Sequence, residues 1–201
     1  MFSMQHSLNA IIEMKDRFLL IHGKAENWTT ALIDYPRIRW DPNSKRSFIH
    51  GIRFRIIEFN GNAKFGLVPL AEFTALVEKR VDLSFSSIQE CARGYSLTYW
   101  GSFQYGGNTI ADLFSGCAPL PPEGRTSYEL IRPGDTIEFE LKLAENEQQI
   151  TISAWSSTFS DPLPFLKHTI TLEDNITYCW AISAGMPGSQ YVVEKAWTRL
   201  A

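Results

Sequence analysis

Residues 131–155 read IRPGDTIEFELKLAENEQQITISAW. Ile137, Phe139, Leu141 and Leu143 alternate with Thr136, Glu138, Glu140 and Lys142. A period of two puts the first set on one face of a sheet and the second set on the other. Pro133-Gly134 supplies the opening turn, because proline presets φ and glycine admits positive φ. AENEQQ turns the chain, and Ile150, Ile152 and Ala154 return on the apolar parity. Trp155 lands on the polar one. The pattern predicts an antiparallel hairpin with one dry face and one wet face.

The flanking sequence extends the same reading. IRFRIIEF (52–59), Asn60-Gly61 and AKFGLVPL (63–70) predict a second hairpin, since both turn residues tolerate positive φ. HTITL, ITYCWAIS and QYVVEKAW predict three closing strands. AEFTALVEKR (71–80) is the one internal helix candidate. Residues 116–127 and 160–165 are Pro-bounded loops. Near the start, Leu8, Ile11 and Ile12 follow helical spacing over 3–16, and FLLIHG (18–23) predicts a strand. The fold class expected is all-β: an antiparallel two-sheet β-sandwich with a short N-terminal helical segment. Residues 1–30 read as an N-terminal extension and 31–201 as the sandwich domain.

GYSLTYWGSFQYGG (94–107) is the stretch richest in aromatics. Tyr95, Leu97, Tyr99, Phe103 and Tyr105 share one parity and read as core. Ser96, Thr98, Ser102 and Gln104 share the other, which the alternation assigns to water. Trp100 breaks the pattern, with Gly101 beside it as a turn or bulge.

The totals narrow the function classes. The 201 residues are 44% hydrophobic and 20% charged, as expected of a globular domain. A net charge of −3 carries no nucleic-acid footprint. No apolar run approaches the ~18 residues of a spanning helix, so no membrane partner is expected. The first residues lack a basic start followed by a long apolar run, so no secretion signal is read there. Cys91, Cys117 and Cys179 show no C-x-x-C spacing and read as reduced thiols, which points to an intracellular, cytoplasmic setting. The N-x-T sequons at Asn27 and Asn175 carry little weight in that setting. The four histidines lack zinc-ligand spacing, no Gly-rich loop opens a helix, and no G-x-S-x-G elbow exists. No cofactor and no metal are expected.

Several of these stretches together resemble the SPRY (B30.2-like) family, over residues 35–199. IRFRIIEF with AKFGLV looks like that family's strand, turn and "K-x-G-V"-like strand. RGYSLTYWGSFQYGG looks like its aromatic "G-x-S" strand. PGDTIEFELKLAENEQQITISAW resembles its "GD-x-I-x-x-x-L-D" hairpin, and ITYCWAIS stands where a "Y-P-x-V-S" strand belongs. The chain departs from the pattern at Leu143-Ala144, at SSTFS after Trp155 and at Cys179. The resemblance implies a bent two-sheet sandwich that binds a protein or peptide through loops at one edge, without catalysis.

Candidate ligand contacts follow from exposure and chemistry. Trp100 and Trp155 sit off the buried parity, where a rigid indole serves as a binding anchor. Tyr105 and Arg53 complete the candidate set. Arg37, Arg39, Arg53 and Arg55 form two R-x-R pairs that adjacent strands would join into a basic stripe, unless acids such as Glu138 or Glu140 pair with them. Two alternatives stand beside a protein ligand. Sugars stack on exposed aromatics, so a carbohydrate-binding sandwich is one. A glycoside hydrolase is the other, since Glu138 and Glu140 put two carboxylates on one face.

Overall fold

The computed structural model describes residues 10–15, 18–23, 29–43, 46–79, 88–113, 131–143, 150–157 and 163–201. The strands among them form two antiparallel sheets. One sheet runs β1 (Ala10–Lys15), β2 (Phe18–Gly23), β13 (Gln190–Leu200), β4 (Phe48–Glu58), β9 (Thr136–Leu143), β10 (Ile150–Ser156) and β11 (Leu166–Ile170). The other runs β3 (Thr29–Arg39), β12 (Thr177–Ala184), β5 (Ala63–Pro69), β6 (Tyr95–Thr98), β7 (Ser102–Tyr105) and β8 (Asn108–Asp112).

The hairpin of residues 131–155 forms as the alternation requires. β9 and β10 pair antiparallel with Ile150 opposite Leu143, and residues 144–149 between them lie outside the described residues. Ile137, Phe139, Leu141, Ile152 and Ala154 are buried, while the other parity is half-buried or exposed. The buried parity meets Phe65, Leu67, Leu97, Phe103 and Trp180 of the six-stranded sheet in one core. Phe65 is central to it, with ring centroids 5.4 Å from Phe54, 6.2 Å from Phe139 and 6.0 Å from Tyr191. Each such ring contributes ~1.5–3 kcal/mol by leaving water.

The six-stranded sheet is covered on its outer face as well. Helix α1 (Leu70–Lys79) and a single 3₁₀ turn at Ile88–Glu90 lie over β5 and β12. Phe73, Ile88 and Cys91 pack there on Leu32, Val68, Cys179 and Ala181. Leu70, Phe73, Leu76 and Val77 make the helical stripe that faces the sheet. This second layer is why AKFGLVP and TYCWAISA do not alternate: both of their faces are dry.

Three expectations are corrected. The N-terminal helix is absent over its described part, where Ala10–Lys15 is strand β1 paired with β2. A helix this short is marginal in water, and a strand partner satisfies the same backbone groups. β2 in turn pairs with β13, and Ile21 lies in the core. The Asn60-Gly61 segment is not a hairpin. β4 and β5 belong to different sheets, so it arches across the end of the sandwich, with Gly61 at φ 97°. The dipeptide reports backbone conformation, while pairing is decided by the better-matched strands β13 and β12. Finally, Ser96, Thr98, Ser102 and Gln104 are buried rather than wetted. Thr98 Oγ1 accepts from the Ser102 amide at 2.9 Å, and the Ser102 and Thr109 hydroxyls bond at 2.8 Å.

Candidate functional site

Four connections meet at one end of the sandwich. They are the β4–β5 arch, the β6–β7 turn, the β12–β13 loop and the Pro133-Gly134-Asp135 turn before β9. Hydrogen bonds lace them together. The Tyr99 amide donates to Ala63 O at 3.0 Å, and the Gly185 amide to Asn62 O at 2.8 Å. Asn60 Nδ2 donates to Pro187 O at 3.0 Å, and the Asn60 amide to Ser189 Oγ at 3.2 Å. The Gly134 amide reaches Ile56 O at 2.8 Å. Glycine is required at 101 and 188, where φ is 90° and 81°.

Trp100 stands on this end, 41% exposed. Its ring meets Tyr99 edge-on with centroids 4.8 Å apart, and Tyr99 meets Phe59 at 5.4 Å. Met186, 43% exposed, lies over Gly61 at the other side of the arch. An apolar patch thus runs across three connections that are bonded to one another. Met186 and Phe59 were not singled out from sequence, because a lone Met in a loop carries no pattern.

Arg53 and Trp155 come together elsewhere, on the outer face of the seven-stranded sheet. The register places Lys195, Arg53, Glu138 and Trp155 in one row across β13, β4, β9 and β10. The next row is Trp197, Gly51, Glu140 and Ser153. Arg53 Nε donates to Glu138 Oε2 at 2.6 Å, and an Arg199 amino group donates to Glu140 Oε1 at 2.8 Å. Arg55 pairs with Glu194. A Cβ on Gly51 would lie 2.1 Å from Trp197 Cζ2, so only glycine lets that indole lie across β4. The Lys195 ammonium stands 4.9 Å from the indole centroid. Two adjoining depressions of about 320 and 370 Å³ share Arg53 and Glu138 in their walls. The sequence held a signal for Trp197 that the strand reading passed over: K-x-W puts Lys195 and Trp197 on one face, and an in-strand glycine marks close approach.

Tyr105 joins neither group. It closes β7 at the end away from Trp100, half-buried, with its ring 4.7 Å from Tyr95. Tyr95 itself is tied down by its hydroxyl, which donates to Thr171 O at 2.9 Å. The expected Arg stripe does not form, because β3 and β4 lie in different sheets. Arg37 instead makes a two-point pair with Asp34 at 2.6 and 2.8 Å, and Arg39 donates to Asn175 at 2.7 Å. The Arg37 guanidinium is held above its ordinary range by the Asp34 hydrogen bond.

Burial pushes the Cys91 and Cys179 thiols up to about 12, so neither is a thiolate at neutral pH. Cys117 lies outside the described residues. Burial also lowers the Lys64 ammonium to about 8. Glu138 and Glu140, the pair considered for hydrolysis, are each held in an ion pair, by Arg53 and Arg199. Among the described residues no group of His, Cys, Asp and Glu could hold a metal ion.

Comparison of the whole structure with solved ones gives the architecture a place. Lectin I-B4 from Griffonia simplicifolia superposes with a TM-score of 0.53 at 13% identity, over 98% of this chain and 93% of that one. Lectin II from Ulex europaeus gives 0.51 at 11% identity, over 96% and 92%. Stonustoxin gives 0.50 at 15%, over all of this chain and 28% of the toxin chain. The fold is a concanavalin-like β-sandwich. Identities this low speak to fold alone. No protein-family model matches the chain, and no curated protein matches it in sequence.

Proposed function

We propose that this chain is a non-enzymatic, SPRY-like interaction module that takes a protein or peptide ligand on its loop end. The observation that carries the reading is Trp100. A large ring is left 41% exposed on a turn whose backbone is fixed by its neighbours. Rigid exposed indoles give contact area at little entropic cost, which is why they dominate binding hot spots. Met186, at the other side of the arch, adds an adaptable apolar contact on the same end. The resemblance of the hairpin and aromatic strand to SPRY domains supports the same edge. A reducing, intracellular setting belongs to this reading, supported by the unpaired, buried Cys91 and Cys179.

Affinity capture from a lysate, with wild type and Trp100→Ala side by side, tests it. A protein retained by wild type and lost by the variant is expected, with affinity for that purified ligand reduced at least ~10-fold. The melting temperature of Trp100→Ala should stay within about 2 °C of wild type, since the ring is not in the core. A large stability loss with undiminished capture would place the ring in a structural role and remove the proposal.

A further inference from the structure

The outer face of the seven-stranded sheet is a second surface, and its chemistry differs from that of the loop end. We propose that the two adjoining depressions around Arg53 and Glu138 bind a neutral saccharide, stacked on Trp197 and hydrogen-bonded by the flanking ion pairs. The site is separate from Trp100, which sits on the other sheet.

Three features commit the surface to that ligand class. First, the indole of Trp197 is laid along the sheet by Gly51 rather than standing upright, and Trp155 sits one row away across β4 and β9. An aromatic face held like that of Trp197 matches the C–H face of a pyranose, whose hydrogens carry partial positive charge toward the ring. The Lys195 ammonium occupies such a position, 4.9 Å from the indole centroid, so a stacked sugar takes its place there and the flexible lysine swings aside. Second, each carboxylate is fixed by a guanidinium, Glu138 by Arg53 and Glu140 by Arg199. An ordered pair offers an acceptor and a donor side by side, and a sugar diol is the ligand that donates and accepts from adjacent hydroxyls. Third, the charges nearly balance, with one net positive charge left over. Three cations (Arg53, Lys195, Arg199) face two carboxylates (Glu138, Glu140) within the depressions. A phosphate or an acidic peptide would have to approach both glutamates, whereas a neutral polyol uses every group present. Volumes of about 320 and 370 Å³ fall within the ~300–1,000 Å³ typical of small-ligand clefts.

The test uses the full chain on a panel of neutral oligosaccharides ending in glucose, mannose or galactose, with sialylated and phosphorylated ones alongside. Saturable binding to at least one neutral glycan is expected. Trp197→Ala should weaken it at least ten-fold, and Trp100→Ala should leave it unchanged. Glu140→Gln is the second variant, close in shape and on the outer face, and it too should weaken binding while the melting temperature holds. Failure of every neutral glycan to bind, binding confined to the acidic glycans, or neutral-glycan affinity that survives both Trp197→Ala and Glu140→Gln would overturn the proposal.

Discussion

Trp180→Ala is expected to lower the unfolding free energy by ~3–5 kcal/mol, the range for truncating a large buried ring. Trp180 is fully buried on β12 and reaches the opposite sheet, with its ring 5.9 Å from Phe139. Its cross-strand neighbours are Leu67 on β5 and Ile33 on β3, both fully buried. β-strands that flank it cannot collapse into the void without breaking their ladders, so the cavity persists. A domain holds only ~5–15 kcal/mol in total, so much of the margin goes with one ring. Urea unfolding would show a lower midpoint at an unchanged slope. Trp180→Phe should cost far less. It keeps an aromatic ring against Phe139, and it removes an indole N–H that has no hydrogen-bond partner among the described residues. A loss under ~1 kcal/mol for the alanine variant would mean that the ring does not bridge the sheets.

That ring also shows where sequence reading succeeds and fails. The hairpin of residues 131–155 was legible because strict alternation is local and one face is wet. α1 was legible within one residue at each end, since 71–80 was expected and Leu70–Lys79 forms. TYCWAISA could be read as a strand, yet nothing in it says which residues face which layer, because both faces are buried. The same gap misled the reading of Ser96, Thr98, Ser102 and Gln104. Their polarity suggests water, but side-chain and backbone partners satisfy polar atoms just as well inside. Asn60-Gly61 was read as a hairpin because a dipeptide encodes φ, not the identity of the strand that follows it into pairing.

The candidate site was legible residue by residue, but not in its grouping. Trp100 and Trp155 were found by parity, and both lie off the core face. Arg53 was found as a charge on a strand, and its partner Glu138 was among the acids expected to meet it. What the sequence did not contain is the division between surfaces. Trp100 rides on the β6–β7 turn of the six-stranded sheet, whereas Arg53 and Trp155 share a row of the seven-stranded sheet. That division depends on strand order, in which β13 inserts between β2 and β4 from the far end of the chain. It brings Lys195 and Trp197 beside Arg53 and Gly51, a neighbourhood that no window of sequence displays.

Strand order also brings the C-terminal β13 against His50, and this sets the second large effect. The imidazole sits on the inward parity of β4, 8% exposed, with Thr198 Oγ1 2.9 Å from Nδ1 and the Phe48 ring stacked 6.1 Å away. Burial lowers its pKa from the ordinary 6.5 to about 4, because the cation would lose its water. The unfolded chain therefore binds a proton near pH 6.5 that the folded chain refuses until about pH 4. Wherever the unfolded state holds more protons, stability rises with pH. So stability is full above pH 6.5 and falls through that window as pH drops to about 4. At ~1.36 kcal/mol for each pH unit, this one side chain contributes a loss of about 3 kcal/mol. Carboxylates begin to titrate at the lower end and add their own slope, so the comparison must be with a variant. His50→Asn keeps a polar group near Thr198 and cannot take up the proton. Urea midpoints measured for both proteins from pH 7.5 to 4 should converge as pH falls, with the difference between them changing by about 3 kcal/mol. Parallel curves would mean that the folded imidazole protonates at its ordinary pH, and that the position is open to water.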